Sequence, residues 1–561
     1  MEDRIAFAKE QVGSLIRAAL NRAMETGALP QADLPEFVVE IPADKANGDV
    51  ASNVAMAGAR VFRRSPQVIA QAVREALELE GTCFERAEVA GPGFLNFFLS
   101  PSWFAGVVAQ AVEAGEAYGR TSYGKGEKVL VEFVSANPTG PMHIGNARGG
   151  AIGDCLASVL GWAGYEAHRE FYVNDAGNQI NKFGLSLEAR YLQLYQEGVE
   201  MPEDAYLGGD ITAHAKAFAE LHGDKYVDAP GEERRKALVD FALPKNIRGL
   251  EEDLEKYRIV YDKWFLESTI HASGEVQKVL DILREKGCTY EKDGAEWFKG
   301  EPFGTEDFVL VRSNGVPTYV VPDIAYHYNK LVTRGYDRAI NVLGADHHGY
   351  VFRLKATLKA LGLDPERLQV VLMQMVRLVR EGQVVKASKR SGKAITLATL
   401  LEEVPIDAAR FYFNLREASS QFDFDLDLAV EQSSQNPVYY VQYAHARICS
   451  IFKNLAAEGI APRACSEAEL CRLDAPEEIA LIRQIALLPG EVTESAKNCD
   501  PARITRYSME LATQFHKFYN SCRVKSEDEP LMQARLTLCK AAQVAVRNAL
   551  AILKITCPET M

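Results

Sequence analysis

The chain has 561 residues, 47% of them hydrophobic and 25% charged, so it is too long for one core and predicts three or four domains of roughly 150 residues each. No apolar run of about 18 residues could span a bilayer, no basic-then-apolar segment opens the chain as a secretory signal would, and the ten cysteines form no CxxC pair, which argues against export, a disulfide scaffold and a zinc module. The net charge of −14 disfavours indiscriminate nucleic-acid binding, although residues 437–561 carry 15 Lys and Arg against 14 Asp and Glu. We therefore expect a cytoplasmic multidomain protein that has no membrane partner and would tolerate a polyanion best near its C-terminal end.

The first elements along the chain predict a small α+β domain over residues 1–110. Apolar residues recur at helical spacing at Ile5, Ala8, Val12 and Ile16, which is typical of an amphipathic helix. The segment GPGFLNFFLS that follows near residue 100 reads as a strand entered from a Gly-Pro turn.

The central part of the chain, residues 111–435, predicts a parallel α/β domain. The run KVLVEFV, beginning at Lys128, and the run AINVLGA at 339–345 are β-rich and almost continuously apolar, which is typical of buried parallel strands. Between them, at about 200–290, charged residues at helical spacing predict helices inserted into this domain. Residues 436–561 show an almost entirely helical pattern, so we expect an all-α domain there.

The segment SANPTGPMHIGNARGG at 135–150 lies where a turn passes into a helix that begins near His143. A helix N-terminus offers unpaired N–H groups and the positive end of the helix dipole, so it suits a phosphate. His143 and Asn146 can donate to phosphate oxygens, and Gly145 leaves room for a flat base. The alternative is that the glycines permit close packing and His143 is only a cap. These residues alone favour the phosphate site and this structural explanation equally. A Rossmann dehydrogenase is disfavoured because GxGxxG is absent.

A second segment, VRLVREGQVVKASKRSGKAI at 376–395, predicts a hairpin around Glu381 and Gly382 that is followed by a basic loop. The cationic side chains of Lys386 and Lys389 in this loop can stabilise the transition state of a triphosphate reaction, in which negative charge moves onto the leaving pyrophosphate. A solvated basic loop is the usual explanation of such a charge run, but the partner segment upstream favours nucleotide chemistry.

The two segments together resemble the signatures of class I aminoacyl-tRNA synthetases, with MHIGN in place of HIGH and KASKR in place of KMSKS. The segments VEFVSANPTGPMHIGNARG, FYVNDAGNQI, YVVPDIAYH, VLGADHHGY, NPVYYVQYAHAR and CPETM extend the resemblance to arginyl-tRNA synthetases over almost the whole chain. Asn146 replaces the second His of HIGH and can still donate to a phosphate, while Ala387 replaces the Met of KMSKS and alters loop packing.

The resemblance implies a Rossmann-like parallel-sheet catalytic domain, an N-terminal α+β domain that contacts the body of the tRNA, and a C-terminal all-α anticodon-binding domain. It implies that L-arginine and ATP give arginyl-adenylate and pyrophosphate, after which the tRNA 3′-terminal ribose hydroxyl takes the arginyl group and AMP leaves. The alternatives are a class I synthetase for another amino acid, which the acidic pair Glu132 and Asp323 disfavours, and a non-catalytic RNA-binding homologue, which the intact HIGN and KASKR segments disfavour.

The resemblance also implies the site residues. The catalytic residues are His143, Asn146, Lys386 and Lys389; ATP is bound by these four together with Gly145, Asp346, His347 and Ser388; arginine is bound by Glu132, Ser135, Asn137, Tyr319 and Asp323; and tRNA is bound by Tyr440, Tyr443, Arg447 and Met561. Carboxylates suit the guanidinium because it is a planar fork of N–H donors.

Two of these assignments have structural alternatives. Asp323 taken alone is the N-cap of the helix IAYHYNKLV, and tyrosines at helical spacing are more often core than base-stacking surface, although an RNA loop also requires aromatic faces and an arginine. Adjacent His347 and His348 do not form a metal site, so we expect no protein-bound metal and Mg²⁺ only as it arrives with ATP. The expected partners are tRNA(Arg), arginine and ATP, and the expected state is a monomer.

Overall fold

The computed structural model describes residues 3–385 and 395–561. Its first domain pairs helices with a four-stranded antiparallel sheet in the order β1-β2-β4-β3, which confirms the predicted α+β fold. The domain comprises α1 (Arg4–Glu25), β1 (Val39–Glu40), β2 (Val50–Ser52), α2 (Val54–Phe62), α3 (Pro66–Ala76), β3 (Phe84–Ala90), β4 (Phe94–Leu99) and the connecting helix α4 (Pro101–Ala114). Ala8, Val12 and Ile16 of α1 are fully buried against this sheet, as their spacing predicts.

The catalytic domain is built on a five-stranded parallel sheet. Its elements are β5 (Lys128–Glu132), α5 (Ile144–Trp162), β6 (Glu166–Val173), α6 (Gly177–Leu192), α7 (Gly209–His222), α8 (Gly231–Lys256), β7 (Lys263–Leu266), α9 (Glu267–Ala272), α10 (Glu275–Glu285), β8 (Thr289–Lys292), β9 (Ala295–Phe298), β10 (Phe308–Val311), α11 (Val320–Tyr328), β11 (Arg338–Gly344), α12 (His348–Ala360), β12 (Leu368–Met373), β13 (Val376–Arg380), β14 (Gln383–Val384), α13 (Leu397–Glu403), α14 (Ile406–Phe413), β15 (Phe422–Asp425) and α15 (Leu426–Val430).

The strand order β12-β11-β5-β6-β7 of this sheet places the first and the fourth strand in chain order side by side. Such a doubly wound sheet has a switch point there, and ligands bind outside the carboxyl ends of the two strands that flank it. Both strands predicted from the sequence, β5 and β11, pair in parallel at this switch point, so the Rossmann-like fold is confirmed.

The prediction of inserted helices over about 200–290 needs one correction. Helices α7 and α8 form as expected, but β7 lies in the same stretch and extends the parallel sheet beside β6. The strand is four residues long, and so short an apolar run cannot be told from a helix by periodicity. A three-stranded antiparallel sheet, β8 to β10, follows it.

The C-terminal domain is all helical, as predicted. It comprises α16 (Pro437–Ala457), α17 (Glu467–Leu470), α18 (Pro476–Ala486), α19 (Leu488–Asn498), α20 (Ala502–Ser521) and α21 (Glu529–Ile552). None of the helices in the described residues combines the length and the apolar character that a bilayer span requires.

A buried charge cluster ties this domain to the catalytic sheet. Asp154 of α5, which is fully buried, accepts from Arg410 of α14 at 2.5 Å and from Arg169 of β6 at 2.7 Å, and Lys554 at the end of the C-terminal domain lies 3.3 Å away. Arg410 also donates to the carbonyl oxygen of Leu553 at 2.9 Å. The helix that starts at the HIGN segment is therefore anchored in both domains.

Candidate active site

A cavity of about 670 Å³ opens at the switch point, beyond the carboxyl ends of β5 and β11. Its lining includes Ser135, Asn137, His143, Asn146 and His347, so the structure brings together five of the residues that the sequence assigns to arginine and ATP. The neighbouring Asp346 lies on an exposed turn at the end of β11, with its carboxylate 3.8 Å from His347.

The start of α5 has the geometry of an anion site. His143 is the N-cap residue, and its backbone amide donates to Oδ1 of Asn146 at 3.0 Å. The amide nitrogen of Asn146 remains as a donor beside the cavity, together with the exposed imidazole of His143. The capping role and the proposed ligand role are therefore compatible, because they use different atoms of these two residues.

The glycines of α5 separate into two kinds. A Cβ on Gly153 would lie 2.2 Å from Cγ of Phe133, and one on Gly150 would lie 2.8 Å from Ile259, so these positions serve close packing against the sheet. A Cβ on Gly145 would meet nothing within 4 Å. Packing within the described residues therefore does not account for Gly145, so the structure leaves room there for the predicted ligand.

The hairpin that precedes the basic loop forms as predicted, with Arg380 paired to Gln383 across Glu381 and Gly382. Both turn residues have positive φ, 49° and 72°, which is the geometry of a tight two-residue hairpin. Lys386, Ser388 and Lys389 lie outside the described residues, so their predicted roles remain predictions.

The described residues beyond the basic loop lie next to the HIGN turn. Thr396 forms an isolated antiparallel bridge with His143, and the amide of Leu397 donates to the carbonyl oxygen of Met142 at 3.0 Å. The described chain therefore resumes, after the residues that include KASKR, beside the start of α5.

The loop after β5 is strained where it meets the pocket. Val134 and Ser135 have φ of 68° and 41°, and a β-branched residue in this region is a genuine outlier. Strain of this kind costs about 1–3 kcal/mol per residue and clusters at functional sites. In this backbone conformation, Oγ of Ser135 donates to Oε1 of Glu132 at 3.0 Å and accepts from the amide of Tyr172 at 3.2 Å.

Glu132 and Asp323, the predicted guanidinium readers, have different surroundings. Glu132 is buried and accepts from Nζ of Lys330 at 2.5 Å, so its charge is already paired. Asp323 keeps 30% of its side chain exposed, lies 3.1 Å from Nδ1 of His327 and accepts from the hydroxyl of Tyr350. Burial raises the pKa of Asp323, whereas the hydrogen bonds that its carboxylate accepts from His327 and Tyr350 and the nearby charge of Lys330 lower it, and these donors favour the ionised carboxylate.

The N-cap interpretation of Asp323 is wrong. Helix α11 begins at Val320 with Tyr319 as its N-cap residue, so Asp323 lies inside the helix and its carboxylate caps nothing. The sequence YVVPDIAYH places Pro322 in the first turn, where a proline is tolerated, and the helix starts four residues before the position that the pattern indicates. Tyr319 is 72% exposed and its ring lies 6.1 Å from that of Tyr350.

Sequence reasoning missed two groups of residues. Tyr206, Gly208 and Asp210 line the cavity from the loop before α7 and from the first turn of that helix. The sequence pattern of the inserted helices does not predict that they contribute to the site. Lys330, on the π-helical turn Asn329–Thr333, is fully buried against Glu132. The signal for it is a lysine seven residues after Asp323, two helical turns along the same face.

Three of the four predicted tRNA-contacting residues, Tyr440, Tyr443 and Arg447, lie on helix α16, whereas Met561 lies beyond α21 and is exposed. Tyr440 is half buried and its hydroxyl lies 3.3 Å from Oγ1 of Thr513 of α20, so it belongs in part to the core of the domain. The guanidinium of Arg447 lies over the rings of Tyr443 and Tyr519, at 4.7 Å and 4.5 Å. This part-exposed stack has the aromatic and cationic character of a base-binding surface.

The parallel sheet with its switch-point cavity, and the HIGN turn beside the segment that follows KASKR, define a class I aminoacyl-tRNA synthetase. Three family models match the chain: the arginyl tRNA synthetase N terminal domain at residues 10–99, the class I (R) tRNA synthetase catalytic domain at 107–209 and 210–448, and the DALR anticodon binding domain at 441–561. The chain belongs to the arginyl-tRNA synthetase family.

Similar proteins agree over the full length. The arginine–tRNA ligases of Caldanaerobacter subterraneus and Acetivibrio thermocellus are 55% and 50% identical, with 100% of both chains covered in each comparison. A crystal structure described as an arginyl-tRNA synthetase from Campylobacter jejuni is 32% identical, covers 82% of this chain and 100% of its own, and has a TM-score of 0.74. The arginyl-tRNA synthetase of Thermus thermophilus shares the fold over 97% of this chain and 99% of its own, with a TM-score of 0.74 at 24% identity.

Proposed function

We propose that the residues around the switch-point cavity carry the ATP-dependent ligation of L-arginine to tRNA(Arg), the activity of this class I arginine–tRNA ligase. The observation that supports this proposal most directly is the position of Thr396 against His143. Thr396, which follows the basic segment in the chain, lies beside the helix N-terminus at the cavity.

Arginine activation needs its carboxylate oxygen to attack the α-phosphorus of ATP while pyrophosphate leaves. In this proposal His143 and Asn146 donate to phosphate oxygens, Lys386 and Lys389 follow the charge onto the pyrophosphate, and Gly145 leaves space for the adenosine. No covalent bond to the enzyme forms, so catalysis comes from positioning and electrostatic stabilisation.

The ribose and the metal have their own proposed places. Asp346 and His347, at the end of β11, lie where the ribose of ATP would be held. Mg²⁺ would arrive with ATP and be held mainly by the phosphates. Asp210 is the carboxylate among the described lining residues, and it suits this minor share of the coordination.

Arginine recognition divides between two ends of the substrate. Asp323 supplies the ionised carboxylate for the guanidinium, with Tyr319 beside it, and Glu132 accepts through the oxygen lone pairs that Lys330 and Ser135 leave free. Ser135 and Asn137, on the loop after β5, lie where the α-amino group would be held.

Transfer of the arginyl group follows when the 3′-terminal ribose hydroxyl of the tRNA attacks the acyl carbonyl and AMP leaves. In this proposal the stack of Tyr443 and Arg447 on α16, with Tyr440 and the chain-terminal Met561, contacts the anticodon loop. The enzyme acts in the cytoplasm and as a monomer. Sedimentation at working concentration tests the oligomeric state.

Pyrophosphate exchange with each of the twenty amino acids, with and without total tRNA, tests the proposal. We expect exchange only with arginine and only when tRNA is present. Exchange with a different amino acid would contradict the substrate assignment, absence of exchange under all conditions would favour the non-catalytic homologue, and exchange with arginine alone would contradict only the tRNA requirement.

The tRNA contact has a separate test. Tyr443→Ala with Arg447→Ala should weaken tRNA binding by about 1–3 kcal/mol through lost stacking and make its salt dependence slightly shallower. Tyr443→Phe with Arg447→Lys is the matched control, because it keeps a ring and a charge. A double alanine variant that melts at a lower temperature but binds tRNA normally would place both residues in the core.

A further inference from the structure

A continuous chain of polar side chains connects the two carboxylates of the proposed arginine pocket. Glu132 pairs with Lys330 at 2.5 Å, Lys330 donates to Oδ1 of Asn341 at 3.2 Å, Nδ2 of Asn341 lies 2.8 Å from Nε2 of His327, and Nδ1 of His327 lies 3.1 Å from Oδ1 of Asp323. Lys330, Asn341 and His327 are at most 4% exposed. Water therefore cannot substitute for any of these contacts without rearrangement.

The chemistry of each group fixes the direction of the hydrogen bonds. The ammonium of Lys330 can only donate, so the oxygen of the Asn341 amide has to face it and the NH₂ group has to face His327. Nε2 of His327 must then accept, and the ring proton must be on Nδ1. This assignment agrees with the other side of the ring, where Nδ1 meets two acceptors, the carbonyl oxygen of Asp323 at 2.9 Å and its carboxylate.

A protonated His327 is incompatible with this arrangement. A proton on Nε2 would face the NH₂ group of Asn341, and turning that amide would direct its NH₂ group at the ammonium of Lys330. Each alternative leaves two donors opposed in a buried site, which is as unfavourable as leaving a buried hydrogen bond unmade. The charge on Lys330 therefore controls the protonation of a histidine two contacts away.

The charge of the pocket follows from this control. Lys330 compensates Glu132, and a neutral His327 compensates nothing, so Asp323, whose side chain is 30% exposed, keeps its full negative charge. One uncompensated anion matches one guanidinium cation. The π-helical turn that carries Lys330 is an irregularity of the kind that occurs frequently at functional sites.

We propose that Lys330 is a positioning and specificity residue which, through Asn341, holds His327 neutral with its proton on Nδ1 and so leaves Asp323 as the single uncompensated charge that selects arginine. This inference rests on the proposed role of Asp323. It adds three residues that do not touch the substrate: Asn341 and His327 act through Asp323, and Lys330 acts through Asp323 and also pairs with Glu132.

Asn341→Asp is the sharpest test, because it keeps size and shape. The new carboxylate still accepts from Lys330, but it also presents an acceptor to Nε2, so His327 takes up a proton and becomes a cation beside Asp323. We expect the KM for arginine in aminoacylation to rise at least tenfold while kcat at saturating arginine changes less than threefold. ¹⁵N NMR of histidine-labelled enzyme should show His327 change from a neutral Nδ1–H ring to an imidazolium, with His327→Gln assigning the signal.

Two variants of Lys330 keep the proposal testable if Asn341→Asp folds poorly. Lys330→Arg retains a donor-only cation, so the neutral Nδ1–H ring should persist and the KM should stay within threefold of the wild-type value. Lys330→Met removes the ammonium that fixes the orientation of the Asn341 amide. The ¹⁵N NMR spectrum of His327 should then no longer show a single Nδ1–H tautomer.

A matched control separates this effect from general loss of stability. Arg334→Met breaks the neighbouring buried pair with Glu170, whose carboxylate is fully buried and which meets the chain of contacts only through the ring of Tyr326. Its KM for arginine should stay unchanged in the folded enzyme. An equal rise in Arg334→Met, or a His327 signal that remains neutral Nδ1–H in both Asn341→Asp and Lys330→Met, would overturn the proposal.

Asp323→Asn, measured alongside, distinguishes the two possible failures. If it leaves the KM for arginine unchanged, the proposed arginine site itself is wrong. If it raises the KM and Asn341→Asp does not, the site holds and the control by Lys330 is refuted.

Discussion

Asp323→Asn probes the reading of the guanidinium directly. The amide keeps the size of the side chain but offers donors to a ligand that has only donors. Within the protein it can still accept from Nδ1 of His327, which lies 3.1 Å from the carboxylate, and the hydroxyl of Tyr350 can rotate to accept from the new NH₂ group. The fold should therefore lose little stability, and the cost should fall on the ligand.

The magnitude follows from one charge-assisted hydrogen bond lost and one opposed donor pair gained. Together these should cost about 3 kcal/mol or more, near a hundredfold in arginine affinity. Citrulline carries a ureido oxygen that accepts from the new amide, so it should lose less than arginine or gain. The assay is the affinity of both ligands for wild type and variant, or tRNA-dependent exchange.

Asp337→Asn is a suitable control for removing a carboxylate, because Asp337 accepts from the amide of Lys128 at the amino end of the same sheet, away from the cavity. It should leave arginine affinity unchanged. Equal losses of arginine and citrulline in Asp323→Asn would mean that Asp323 supports the fold and does not read the side chain.

Three further predictions address the nucleotide site and the domain junction. Gly145→Ala should leave stability unchanged but raise the KM for ATP about tenfold by displacing the ligand. Gly153→Ala, whose Cβ would lie 2.2 Å from Phe133, should instead lower the free energy of unfolding by about 1–3 kcal/mol in urea titrations. The reverse pattern would contradict the two roles. Lys389→Ala should slow adenylate formation in single turnover by about 2–4 kcal/mol of activation free energy with arginine affinity unchanged, and an unchanged rate would make the loop a solvated one. Asp154→Asn should destabilise the fold by about 3–5 kcal/mol, because it leaves buried cations unpaired. Burial raises the pKa of Asp154, but its three cationic neighbours lower it by more. The stability that Asp154 contributes is therefore present above its ordinary pKa of about 3.9 and is lost as the pH falls through the pKa of the folded state. Wild type should lose stability below about pH 4 more steeply than the variant, and parallel acid-unfolding curves would refute this.

The sequence by itself determined the domain classes and the two signatures. Continuous apolar β-rich runs predict β5 and β11 because parallel strands are buried on both faces, and the helix start at His143 follows from the turn residues before it. These features are local, since they depend on periodicity and on short-range hydrogen bonding, and the structure confirms them.

The tertiary structure decided what each residue faces. Gly145 and Gly153 are alike in sequence, but only the second packs against the sheet. The sequence predicts that Glu132 contacts the guanidinium, but only the tertiary structure shows that Lys330, 198 residues away along the chain, already pairs with it. Strand β7 is distinguished from a helix only by its pairing with β6. Such contacts join distant parts of the chain, so their energies are absent from any local pattern, and the direction of a hydrogen bond in a buried network depends on all its members at once.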